Sequence, residues 1–135
     1  MAAPVILFDY FGVLAHRYGK PDEEIIRFID ENLAGRYRLA VLSNMSGGTA
    51  EEMLGPHAGL FDEVIISGEQ GVAKPDARAF LLAAQRLGEF PDDCVMIDDS
   101  QQNCVAAEDV GMRAVYYRDL GQLRQKLAEY GILTP

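Results

Sequence analysis

Three aspartates, a lysine and a serine stand in this chain where apolar runs stop. Asp9 closes "VILFD", Ser43 closes "RLAVLS", Asp98 and Asp99 close "CVMIDD", and Lys74 sits in "GVAKPD", shortly after the run "DEVIIS" that ends at Ser67. Carboxylates supply a nucleophile or hard oxygen ligands for a divalent cation. A lysine adds positive charge, and a serine hydroxyl adds a donor to an anion. Taken singly, each has a plainer reading. Aspartates after strands cap helices or make turns, Ser43-Asn44 is ordinary loop chemistry, and Asp98-Asp99 leads into Ser100 as an N-cap would. What sets the group apart is where a fold would put it.

Five runs read as strands, starting at Pro4, Arg38, Asp62, Cys94 and Arg113 ("RAVYY"), and their apolar cores do not alternate. That pattern suits strands covered on both faces of a parallel sheet. Helical patterns lie between them, at 21–34, 47–55, 75–87, 101–110 and 119–130. Pro75, Asp76 and Asp119 act as start signals, and Gly88, Gly111 and Gly131 as stops. Residues 21–34 place Ile25, Ile26, Ile29 and Leu33 on one stripe, with Asp22, Glu23 and Glu24 in the first turn, where acids favour the helix dipole. Strand and helix alternating five times predict a doubly wound α/β fold, which binds ligands outside the carboxyl ends of its strands. The polar residues above all fall there. The tail "GILTP" reads as a loosely held end.

With 135 residues, 49% of them hydrophobic, the sequence predicts one domain over 1–135. The net charge of -9 argues against a nucleic-acid surface, since phosphate backbones need lysine and arginine to displace counterions. No run reaches the roughly 18 apolar residues of a membrane span, and no basic apolar leader is seen, so a cytoplasmic protein is expected. Cys94 and Cys104 lack metal-ligand spacing and read as reduced thiols.

Four segments together resemble the haloacid dehalogenase-like hydrolase superfamily over nearly the whole chain: "FDYFGVL", "AVLSN", "GVAKPDARAF" and "VMIDDSQQNCVAAEDVGM". The resemblance implies a sheet of order 5-4-1-2-3 with Asp9 on its central strand. It also implies a phosphatase or phosphotransferase in which Asp9 attacks phosphorus to give an aspartyl-phosphate. Ser43, with backbone amides after Asp9 and beside Asn44, would hold phosphoryl oxygens, and Lys74 would neutralise developing charge. Asp9, Asp98, Asp99 and the Phe11 carbonyl would hold Mg²⁺, with Asn103 orienting the acids from behind. Substrates would be phosphorylated, either small molecules or phosphoproteins.

The chain departs from the family's pattern twice. Phosphatases of the superfamily usually carry an aspartate two residues after the nucleophile, as acid to the leaving group and base to water. Phe11 can do neither, which predicts slow turnover or reliance on good leaving groups such as acyl and aryl phosphates. The alternatives are a non-catalytic phosphate- or partner-binding module, and a metal-independent dehalogenase, whose family pattern has an aromatic residue there but typically lacks the paired acids. The second departure is a missing cap domain. Residues 15–37 have room for little beyond one helix, so the crevice should be open to solvent, to a large partner or to a second subunit. Arg17 and Lys20 add positive charge near its mouth, and His16 stands in the same loop, which also reads as an ordinary solvated one.

Overall fold

A computed structural model describes residues 3–16, 19–45 and 48–133, without the side chains of Glu69 and Gln70. Strands β1 (Val5–Phe8), β2 (Arg38–Ser43), β3 (Glu63–Ile66), β4 (Cys94–Asp98) and β5 (Arg113–Tyr116) form one parallel sheet. Its order is β3-β2-β1-β4-β5, the expected arrangement read from the other edge. Helices α1 (Glu23–Asn32), α2 (Ala50–Leu54), α3 (Ala77–Leu87), α4 (Gln101–Asp109) and α5 (Leu120–Glu129) follow the strands in turn. No helix among the described residues is long and apolar enough to cross a membrane.

Alternate residues of each strand serve opposite faces. Ile6, Phe8, Leu39, Val41, Val95 and Ile97 pack under α1 and α5, against Ile25, Ile29, Leu123 and Leu127. Val5, Leu7, Ala40, Leu42, Cys94 and Met96 pack under α3 and α4, against Phe80, Ala83, Cys104 and Ala107. Covering on both sides explains why the strand sequences do not alternate. Both cysteines are free and buried, and burial pushes their thiols up to about 11 for Cys94 and about 12 for Cys104.

The helices begin where their caps dictate. Asp22 accepts from the amide of Glu24, Asp76 from Arg78, Ser100 from Asn103 and Asp119 from Gln122. Three differences from the sequence reading have local causes. The expected helix at 47–55 contracts to five residues, because Thr49 is its cap and Gly55 leaves it at φ +56; residue 47 lies outside the described residues. The third strand ends before Ser67, which opens a 3₁₀ turn. The tail is not loose as far as it is described: Ile132 is buried and its carbonyl accepts from the Tyr37 hydroxyl.

Between β1 and β2 there is no inserted domain. The carbonyl of Tyr10 accepts from the amides of Val13, Leu14 and Ala15, folding the chain into a tight turn, and the His16 amide donates to the Lys20 carbonyl before α1 begins. The carboxyl ends of the strands are therefore left uncapped by this segment.

Candidate active site

The register of the sheet brings the acids together. Val5 pairs with Cys94 and Leu7 with Met96, all on the α3/α4 face. One further step along both strands puts Asp9 next to Asp98 just beyond the last apolar pair. The Asp9 amide, donating to the Ile97 carbonyl at 2.9 Å, holds that step in place. Two adjacent carboxylates repel in a poorly solvated site unless a cation lies between them.

Lys74 is that cation. Its Nζ donates to Asp98 Oδ2 at 2.8 Å, to Asp9 Oδ1 at 2.9 Å and to the Leu42 carbonyl at 2.9 Å. All three ammonium protons are used, and the side chain is 1% exposed. Its backbone is clamped by Asn44, whose Oδ1 accepts from the Lys74 amide at 2.8 Å while Nδ2 donates to the Lys74 carbonyl at 3.0 Å. The Ser67 hydroxyl lies against the Ser43 carbonyl and Asn44 Oδ1. The Asn44 side chain is thus spent on positioning Lys74, which leaves the backbone amide beside it as the group expected to hold a phosphoryl oxygen. Ser67 belongs to the same support, and in the sequence it looked only like a strand end.

Asp98 is fully buried and well supplied with donors. Oδ1 accepts from the Ser100 amide, and Oδ2 accepts from Asn103 Nδ2 at 3.1 Å as well as from Lys74. Asn103 therefore sits behind the acid pair. Ser43 is buried at the end of β2, with its oxygen accepting from the Met45 amide, which leaves its own O–H to donate.

Asp99 is exposed and lies over the turn that follows Asp9. A Cβ added to Gly12 would come within 2.1 Å of Asp99 Oδ2, and Gly12 has φ +88. Only glycine meets both conditions without strain. Gly12→Ala is expected to cost about 1–3 kcal/mol through backbone strain and displacement of Asp99, read from urea denaturation.

One carboxylate oxygen from each of Asp9, Asp98 and Asp99 lies within 4.8 Å of the others. Three ionised carboxylates and one ammonium leave two negative charges, which a divalent cation balances. Hard oxygen donors of this kind suit Mg²⁺. Without such a cation, burial raises the Asp9 carboxyl most strongly; Lys74 pulls it down and Asp98 pushes it up, with a result of about 7 in place of 3.8.

A carboxyl raised in the fold supports stability below its unfolded value, and that support is lost as pH climbs through the folded value. In chelator-treated buffer, the melting temperature of Asp9→Asn relative to wild type is therefore expected to rise between pH 4 and about 7 and then level off. A relative melting temperature that falls over this window contradicts the assignment.

Phe11 stands beside this cluster, 42% exposed, with its ring edge-to-face on Tyr10 at 4.9 Å. A cleft of about 660 Å³, lined by Phe11, Gly12, His16, Asp99, Tyr117 and Arg118, opens next to Asp99. His16 Nε2 lies 3.7 Å from Asp22, and Lys20 is exposed. Arg17 lies outside the described residues. Arg118 was not anticipated, since nothing in its neighbours marks it until the β5–α5 turn brings it to the cleft.

Among solved structures, the chain is similar to a protein of Corynebacterium glutamicum with TM-score 0.80 and 29% identity, covering 99% of both chains. It also shares its fold with an enzyme of Bacteroides thetaiotaomicron described as a HAD family enzyme in complex with magnesium and inorganic phosphate. That match has TM-score 0.63 and 16% identity, over 90% of this chain and 99% of that one. Among curated relatives, it is 38% identical over 87 residues to the fructose-1-phosphate phosphatase YqaB of Escherichia coli (strain K12), covering 62% of this chain and 46% of the relative. The chain spans only 20–46% of the length of the first three such relatives. The family described as haloacid dehalogenase-like hydrolase matches residues 4–111, and the chain belongs to that family.

Proposed function

We propose that the protein is a Mg²⁺-dependent phosphohydrolase or phosphotransferase that works through an aspartyl-phosphate on Asp9. The observation that carries this reading is Lys74 Nζ shared between Asp9 and Asp98, with Asp99 close enough to complete a three-carboxylate cation site. Phosphatase relatives support the class of reaction.

In this reading Asp9, Asp99 and the Phe11 carbonyl hold Mg²⁺, with Asp98 joining directly or through water. When bound, the ion offsets the repulsion between an anionic carboxylate and an anionic phosphate. Asp9 Oδ attacks phosphorus, and Lys74 remains against it, neutralising charge as the new bond forms. The Ser43 hydroxyl and the backbone amides after Asp9 and beside Asn44 hold phosphoryl oxygens. Asn103 and the Ser100 amide keep Asp98 facing Lys74. A dehalogenase needs no such trio of acids. The uncapped crevice points to substrate selection by a phosphoprotein surface or by a second subunit lying over the site.

Phosphate release from an aryl phosphate tests the proposal. It is expected with Mg²⁺, to vanish with a chelator and to fall by at least about 10³-fold in Asp9→Asn, as removal of an attacking group does elsewhere. Release unaffected by the chelator or by Asp9→Asn overturns it. Absence of release together with Mg²⁺-dependent stabilisation by a phosphate mimic supports the binding-module alternative.

A further inference from the structure

We infer that the protein is a phosphoryl-storing device: it takes a phosphoryl group from an acyl phosphate onto Asp9 and holds it there, because the site can make the aspartyl-phosphate but, among the described residues, holds no group beside Asp9 free to break it. This deepens the function proposed above and rests on it.

The two half-reactions make different demands. In the first, Asp9 Oδ forms a bond to phosphorus while the bond from phosphorus to the acyl oxygen breaks. The carboxylate that departs is stable as an anion near neutral pH, so no proton has to be supplied. In the second, a water oxygen forms a bond to phosphorus, the bond to Asp9 Oδ breaks, and a water proton must go to a base.

Among the described residues, the groups beside Asp9 are each committed or unsuited as that base, and the further acids on the cleft wall, Asp22, Glu24 and Asp119, make no hydrogen bond to the acid cluster. Phe11, beside the nucleophile, carries only an apolar ring, 42% exposed. The hydroxyl of Tyr10 is buried and donates to the carbonyls of Gly19 and Met53. Lys74 spends all three protons on Asp9, Asp98 and the Leu42 carbonyl. Asp98 is enclosed by Lys74, Asn103 and the Ser100 amide. Asp99 lies against Gly12, in the cation site. His16 stands on the cleft wall 3.7 Å from Asp22 and makes no hydrogen bond to the acid cluster. A hydroxyl such as Ser43 donates to an anion and is no base at neutral pH.

The test is to mix the full chain with Mg²⁺ and acetyl phosphate, quench in acid, and follow intact mass and free phosphate together. The inference expects most of the protein to gain one phosphoryl group in an initial burst of about one equivalent, followed by a release phase slower by about 10²–10⁴ than general base catalysis would give. Hydroxylamine should remove the adduct, Asp9→Asn should not acquire it, and Phe11→Asp should turn over faster with less adduct at steady state. Rapid linear phosphate release by wild type with negligible adduct overturns the storage inference while leaving the phosphohydrolase reading intact. Neither adduct nor release in wild type and Phe11→Asp overturns both.

Discussion

Lys74→Met is expected to destabilise the fold by about 3–5 kcal/mol, the usual consequence of removing one partner from a buried ion pair. Methionine matches the lysine stem in length and fills much of its volume, so packing is largely kept and the charge is lost. What remains is Asp98, fully buried, facing Asp9 with no cation between them, and a Leu42 carbonyl without its donor. Against a total of about 5–15 kcal/mol for a domain of this kind, the loss is large. A second variant separates charge from packing: adding Asp98→Asn to Lys74→Met should recover a substantial part of the loss by removing the uncompensated carboxylate. Urea denaturation of both variants checks this. A single variant within about 1 kcal/mol of wild type contradicts the structural role assigned to Lys74.

Phe11→Asp is expected to raise turnover by about 10²–10⁴, the ordinary range for a positioned general acid–base. The gain should be greatest for substrates with poor leaving groups, such as alkyl phosphates, because the new carboxyl protonates the departing oxygen before taking a proton from water. Phe11 is a favourable place for the change. Its ring is 42% exposed and gives up one edge-to-face contact with Tyr10, worth about 0.5–1.5 kcal/mol beyond area burial. The measurement is kcat for an alkyl and an aryl phosphate in wild type and variant. A kcat that is unchanged between wild type and variant for both substrates contradicts the view that proton transfer limits this site.

The strands and the line of polar residues at their carboxyl ends were legible because buried parallel strands read as apolar runs and their exits as abrupt polar stops. Asp9, Ser43, Lys74, Asp98 and Asp99 could be named on that basis, and the family resemblance supplied roles and strand order. The supports were not legible. The resemblance put a phosphate-holding backbone amide beside Asn44, and only the fold shows the Asn44 side chain clamping the Lys74 backbone across 30 residues of sequence. Arg118 carries no local signal and Ser67 showed only as a polar strand end, since the contacts of both depend on how β3 and β5 end. Gly12 could be read as a flexible exit from β1, but that Asp99 occupies the space a Cβ would need is a fact of two strands meeting. The tail was misread because Ile132 joins the core on the α1/α5 face and its carbonyl accepts from Tyr37, a partner 95 residues away.

The central claim is that Asp9 accepts the phosphoryl group, and it is tested most directly where the expected signal is largest. Phosphate release from an aryl phosphate at saturating Mg²⁺ should be compared between Phe11→Asp and the double variant Phe11→Asp/Asp9→Asn. The account predicts vigorous release from the first and a fall of at least about 10³-fold, to the rate of buffer alone, in the second. Equal release from the two proteins, or none from Phe11→Asp while it remains folded, would contradict it.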